Sequence, residues 1–116
     1  MYKYAELQLV PFNNRLYVYI GRHADINKIT LVKFKYNLSK YAFDASGIFV
    51  TIKKDYMIWC CNKNSLLHEV SHCVDHLMKH YSVFNSEFRA YYTEYLYKYL
   101  KMESNYKIIG EKKVKK

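Results

Sequence analysis

The spacing of apolar residues changes near residue 64, and this change constrains the fold more than any other feature. Before residue 64, apolar residues occur in short β-rich runs, whereas after it they recur every three to four residues. The first pattern is typical of strands and the second of amphipathic helices. The sequence therefore predicts an α+β domain in which a small mixed or antiparallel sheet packs on two consecutive helices.

The strands are expected in the first half of the chain. Asn13-Asn14, a turn-forming pair, separates the first two β-rich runs, and Lys54-Asp55 separates the last two, which should form a hairpin. Residues 39–45 could form either a short helix or a loop. The predicted strands cover residues 6–12, 15–21, 29–36, 47–53 and 56–60.

Two helices are predicted in the second half, over residues 64–81 and 85–102. Each begins at an Asn or Ser, whose side chains cap helix N-termini. The 116 residues, half of them apolar, suit a single domain. We expect that domain to cover residues 1–103 and a basic, flexible C-terminal tail to cover residues 104–116.

Composition bears on partners and location. The net charge is +9, but the basic residues are scattered and are mostly Lys, which argues against nucleic acid as a partner. No run of 18 apolar residues and no apolar signal segment is present, so neither a membrane span nor secretion is expected. The three Cys lack the spacing of a disulfide scaffold. These features indicate a cytoplasmic protein.

One motif in the sequence carries chemistry, namely His68-Glu69-Val70-Ser71-His72. Residues four apart share a helix face about 6 Å apart, so His68 and His72 can bind one Zn²⁺ at roughly 2.0–2.1 Å. Glu69 lies about 100° around the helix, where it can act on a water molecule instead of binding the ion. The motif therefore predicts two zinc ligands and a catalytic glutamate.

The third zinc ligand must come from another segment. His76 and His80 continue the four-residue spacing, but helix residues eight apart lie about 12 Å apart, too far to bind one ion. A short connection makes the second helix an antiparallel neighbour, which places Glu87 of its first turn as the leading candidate. Glu94 ranks second, and residues 39–44 are a further possible source.

The region 47–100 resembles the gluzincins, closest to ImmA/IrrE-type zinc peptidases and small phage-encoded zincins. In these proteins a helix bearing His-Glu-x-x-His precedes one with a Glu ligand in a Glu-x-x-Ala setting, matched here by Glu87-Phe88-Arg89-Ala90. The resemblance implies a zincin-like domain with His68, His72 and Glu87 as ligands and Glu69 as general base. It also implies that a strand within residues 48–59 lines the cleft and pairs with an extended peptide.

These observations predict a zinc-dependent peptidase that acts on a peptide or protein substrate. The alternative is a zincin-fold structural or assembly protein, such as a phage virion component, that retains the metal site and contacts other subunits of the particle. A third possibility is a toxin- or antirepressor-like regulator that cleaves one host partner. The intact Glu69 favours an enzyme, because a purely structural zinc site needs no base. A phage-encoded chain would act in the host cytoplasm or in the virion.

Overall fold

The computed structural model describes residues 2–37 and 46–109, which form a small mixed α+β domain. The α+β class predicted from the sequence is therefore confirmed. The predicted helix or loop over residues 39–45 lies outside the described residues. In chain order the elements are β1 (Tyr2–Gln8), β2 (Arg15–Gly21), α1 (His23–Lys33), β3 (Gly47–Ile52), β4 (Asp55–Cys60), α2 (Leu66–His80), α3 (Ser86–Lys101) and β5 (Lys107–Ile109).

The five strands form one mixed sheet in the order β3-β4-β2-β1-β5. β2 and β4 run parallel in the centre, whereas the other neighbours are antiparallel. A parallel pair requires a long crossover, and here the connection includes α1 and β3. Within residues 2–37 and 46–109, β3 and β5 are the edges of the sheet.

Different helices cover the two faces of the sheet. Because side chains alternate along a strand, Val18 and Ile58 point to one face and Tyr19 and Trp59 to the other. The first face packs on α2 and α3, and the second packs on α1. No helix in the described part of the chain is both long and apolar enough to cross a membrane.

Both helices predicted in the second half are present, and their ends agree with the prediction to within two residues. Asn85 caps α3, because its side-chain oxygen accepts a hydrogen bond from the Phe88 amide at 2.9 Å. Ser65 makes no such cap for α2. Instead the side chain of Asn62 accepts from the amide of Asn64, which begins a short 3-10 turn that leads into α2.

The prediction of a strand over residues 29–36 is wrong, because most of this segment belongs to helix α1. Ile26 and Thr30, four residues apart, form the buried face of the helix. The apolar alternation that suggested a strand includes Val32, which is 79% exposed. The helical spacing starts at Ile26, outside residues 29–36, so the alternation within residues 29–36 predicts a strand instead.

The first strand lies about four residues earlier than the predicted segment 6–12. Its ladder ends at Gln8, and the Leu9 amide then donates to the Asn14 carbonyl at 2.9 Å, which closes a loop around Pro11. Proline has no amide hydrogen and cannot continue a ladder as a donor. The second predicted strand, 15–21, coincides with β2.

The segment predicted as a flexible tail, residues 104–116, contains strand β5, which completes the sheet at residues 107–109. β5 pairs antiparallel with β1, with Tyr2 opposite Ile109. Tyr106 is buried, and its hydroxyl donates to the Leu100 carbonyl. The prediction of a tail rested on the basic residues near the end of the chain and overlooked Tyr106, the buried aromatic residue that anchors this segment. The rest of the predicted tail, residues 110–116, lies outside the described residues.

Candidate metal centre

Two imidazoles converge at the N-terminal end of α2. The Nε2 atoms of His68 and His72, hereafter the histidine pair, lie 3.2 Å apart, and the rings are nearly perpendicular at 89°. Two nitrogen ligands of one tetrahedral zinc ion, at roughly 2.0–2.1 Å from it, would lie about 3.3 Å apart. The separation in the structure therefore fits two ligands of a single zinc ion.

The buried face of α2 sets the direction of the histidine pair. Val70, Cys73 and Leu77 have no exposed surface and pack in the core beneath the helix. With 3.6 residues per turn, a helix that buries these positions turns residues 68 and 72 toward solvent. Both histidines are exposed, so an ion and a substrate can reach them.

Glu69 lies at the boundary between the core and the surface. Only 5% of the surface of Glu69 is exposed to solvent. Burial raises the pKa of Glu69 above its usual value, and the neighbouring His68 and His72 lower it in part. A carboxylate in such a place holds a proton more readily than an exposed one, which suits a group that receives a proton from water.

Gly47, the first residue of β3, lies directly against Glu69. A Cβ atom at Gly47 would lie 3.1 Å from Glu69 Oε2 and 3.0 Å from the Trp59 carbonyl oxygen. These distances are shorter than normal contacts, so only a glycine lets the edge strand approach the carboxyl this closely. Gly47 is not among the residues that the sequence predicts for the site. The signal that could have identified it is a glycine that begins an otherwise apolar strand.

The substitution Gly47→Ala should lower the free energy of unfolding by about 1–3 kcal/mol, since the added methyl forces its neighbours apart. Urea unfolding in the wild-type and Glu69→Ala backgrounds separates two contributions. The loss of unfolding free energy caused by contact with the Glu69 carboxyl should disappear in the Glu69→Ala background. The loss caused by contact with the Trp59 carbonyl should remain. An equal cost in both backgrounds would show that Gly47 does not position Glu69.

Among residues 2–37 and 46–109, no third ligand is gathered around the histidine pair. Across the two described stretches, no three His, Cys, Asp or Glu side chains are grouped so as to hold a metal ion. Glu87 lies in the first turn of α3 as predicted, with an exposed side chain. Glu94 is also exposed and forms an ion pair with Lys98 at 3.8 Å. Residues 39–44, the remaining possible source, lie outside the described residues.

The register between α2 and α3 distinguishes the two glutamates. The helices are joined by a short connection and run antiparallel, and Arg89 of α3 contacts Asp75 of α2 with Nη1 2.5 Å from Oδ1. Glu94, five residues after Arg89, is therefore level with the histidine pair. Glu87 lies beside the last turn of α2, about 10 Å away along the axis. In height Glu94, which the sequence ranked second, is the nearer of the two, although both glutamates lie about 140–160° around α3 from Arg89.

His76 and His80 lie further along α2, apart from the histidine pair. Their rings are nearly parallel, with centroids 6.3 Å apart. His76 Nδ1 is 3.3 Å from the Tyr56 hydroxyl, and its ring centroid is 5.9 Å from that of Phe49. These contacts place His76 beside the hairpin formed by β3 and β4.

Comparison with known proteins finds no match. No protein family, no curated protein and no solved structure is significantly similar to this chain.

The register leads to a prediction about the third ligand. Glu94→Gln should weaken zinc binding at least ~10-fold, because it removes a ligand charge, whereas Glu87→Gln should leave the affinity unchanged. Competition with a chromophoric chelator measures both dissociation constants. The reverse result would restore Glu87 as the ligand, and no effect from either change would exclude both carboxylates of α3.

Proposed function

We propose that this protein is a zinc-dependent peptidase, with His68 and His72 as zinc ligands and Glu69 as the general base. The separation of 3.2 Å between the two Nε2 atoms carries the proposal, because it fits one tetrahedral ion. The buried position of Glu69, one residue along the helix, supports a catalytic rather than a purely structural site. The zincin-like character of the domain is part of the same proposal.

The proposed reaction is hydrolysis of a peptide bond. A bound zinc ion would acidify a water molecule and polarise the substrate carbonyl. Glu69 receives the proton from water as the water oxygen bonds to the carbonyl carbon. Glu69 then delivers this proton to the departing amine as the C–N bond breaks, which leaves a carboxylate and a free amine. The side chain is thus returned to its starting state.

Strand β3 is the part of the chain best placed to hold an extended substrate. It forms an edge of the sheet within the described ranges, so its outer backbone groups can pair with a peptide. Its first residue, Gly47, touches Glu69. A peptide added along β3 would therefore pass close to the general base.

A second candidate function is a structural or assembly role, for example in a phage particle, with the zinc site retained. The observation that favours it is that the described residues bring no third side chain to the histidine pair. In that role the partners would be other subunits of the particle and not a peptide substrate. The two functions differ in whether Glu69 is needed after zinc has bound.

Metal content tests the zinc site directly. Protein purified without chelator should contain about one zinc per chain, and His72→Ala should lose it, because the remaining ligands cannot close a site. His80→Ala is the matched control, since His80 is an exposed histidine two turns further along the same helix, and it should keep the metal. Elemental analysis with thermal melting gives both readouts. A folded wild-type protein without metal would overturn the zinc proposal.

Glu69→Gln tests catalysis separately from metal binding. The variant keeps the shape of the side chain and removes the base, so it should retain about one zinc and lose at least ~10²-fold in cleavage rate. Mass spectrometry of a mixed peptide library measures cleavage, and chelated protein reloaded with zinc is the control. Zinc-loaded wild type that cleaves no peptide would favour the assembly role. Full activity in Glu69→Gln would exclude the proposed base.

A further inference from the structure

Four tyrosines cover the face of β1 and β2 that lies opposite α2 and α3. Tyr2 and Tyr4 alternate along β1, and Tyr17 and Tyr19 alternate along β2, so all four side chains point toward α1. Tyr4 and Tyr19 are direct partners in the antiparallel register, and their ring centroids are 4.9 Å apart. The result is a wall of aromatic rings on the side of the sheet away from the metal centre.

An ammonium group already occupies the space in front of this wall. Lys33 is the last residue of α1, and its Nζ lies 4.8 Å from the ring centroid of Tyr17 and 5.2 Å from that of Tyr4. Phe34 contributes a third ring at 5.5 Å. All three distances are within the ~6 Å over which a ring face attracts a cation. We refer to Tyr4, Tyr17 and Phe34 as the aromatic cage.

The surroundings of the cage favour a positive charge. Glu6 lies opposite Tyr17 in the register and accepts a hydrogen bond from the Tyr4 hydroxyl. It also forms an ion pair with Arg15, in which Oε2 of Glu6 is 2.7 Å from Nη1 of Arg15. Burial raises the pKa of Tyr4, and the hydrogen bond to Glu6 raises it further. The phenol therefore stays neutral and keeps its proton for Glu6. A carboxylate and neutral ring faces thus meet at one place.

A cavity of about 300 Å³ adjoins the Lys33 side chain. Its volume is at the lower end of the range of small-molecule sites. Because Lys33 is exposed and has a long flexible side chain, it can leave the cage without disturbing the core. The cavity is lined by Tyr2, Tyr4, Tyr19, Ile29, Lys33 and Ile109.

We propose that the aromatic cage is a binding site for a methylated ammonium group, and that Lys33 occupies it when no ligand is present. A lysine ammonium is strongly hydrated, so contact with the rings costs it part of its water shell. A methylated ammonium is less hydrated, and its methyl groups can extend past Tyr4, the ring that the cage and the cavity share, into the cavity. Such a ligand should therefore displace Lys33.

The test is a titration of Lys33→Ala with tetramethylammonium chloride, followed by NMR of the tyrosine ring signals. The variant should show saturable shifts confined to the tyrosines of β1 and β2. Its affinity should be at least ~10-fold higher than that of wild type, because in wild type only the fraction of molecules with an open cage can bind. Adding Tyr17→Leu to this variant should abolish the shifts.

The matched control is Lys28→Ala, which removes an exposed lysine from the same helix and should behave as wild type. Equal shifts with sodium chloride, or no saturable binding to a Lys33→Ala protein that melts like wild type, would overturn the proposal. Comparing choline with a short peptide that carries trimethyllysine identifies the source of the group. Tighter binding of choline indicates a free small molecule, and tighter binding of the peptide indicates a modified protein.

Discussion

The apolar face of α2 packs on one face of the sheet at strands β3 and β4, and this contact determines where His68 and His72 point. Val70 and Leu77 are fully buried against this face, and each such side chain stabilises the fold by about 1.5–3 kcal/mol. Rotating the helix by one residue, so that His68 and His72 took the buried places of Glu69 and Cys73, would expose Val70 in the place of Ser71. The core therefore fixes the separation and direction of the histidines at little further cost, because the pair itself is exposed.

Glu69 is a charged residue in packing that is otherwise apolar. A carboxyl group held at 5% exposure loses much of its hydration, and an apolar residue of similar size would fill the same place more favourably. The edge strand nevertheless carries Gly47 at the one point where a side chain would press on that carboxyl. A buried carboxyl group for which the neighbouring strand leaves room is the kind of exception to an apolar core that is expected at functional sites.

Sequence patterns identified elements whose signals are local, and missed those that depend on distant contacts. The apolar spacing of α2, the Asn85 cap of α3 and the boundaries of β2 were all predicted correctly. Helix α1 was missed because its residues also alternate. The place of Tyr106 depends on pairing between β5 and β1, about 100 residues apart in the chain. The height of Glu94 relative to the histidine pair depends on the register between two helices, which no local pattern encodes.

Strand alternation separates the two proposed sites. On β2, Leu16 and Val18 enter the core beneath α2 and α3, while Tyr17 and Tyr19 face α1 and the aromatic cage. A single strand thus supports both sites with alternate residues, and no side chain of β2 belongs to both. Because β2 also pairs in parallel with β4, a shift of its backbone would reach both faces, whereas a side-chain change on one face would stay there. This arrangement allows the cage and the metal centre to be altered independently.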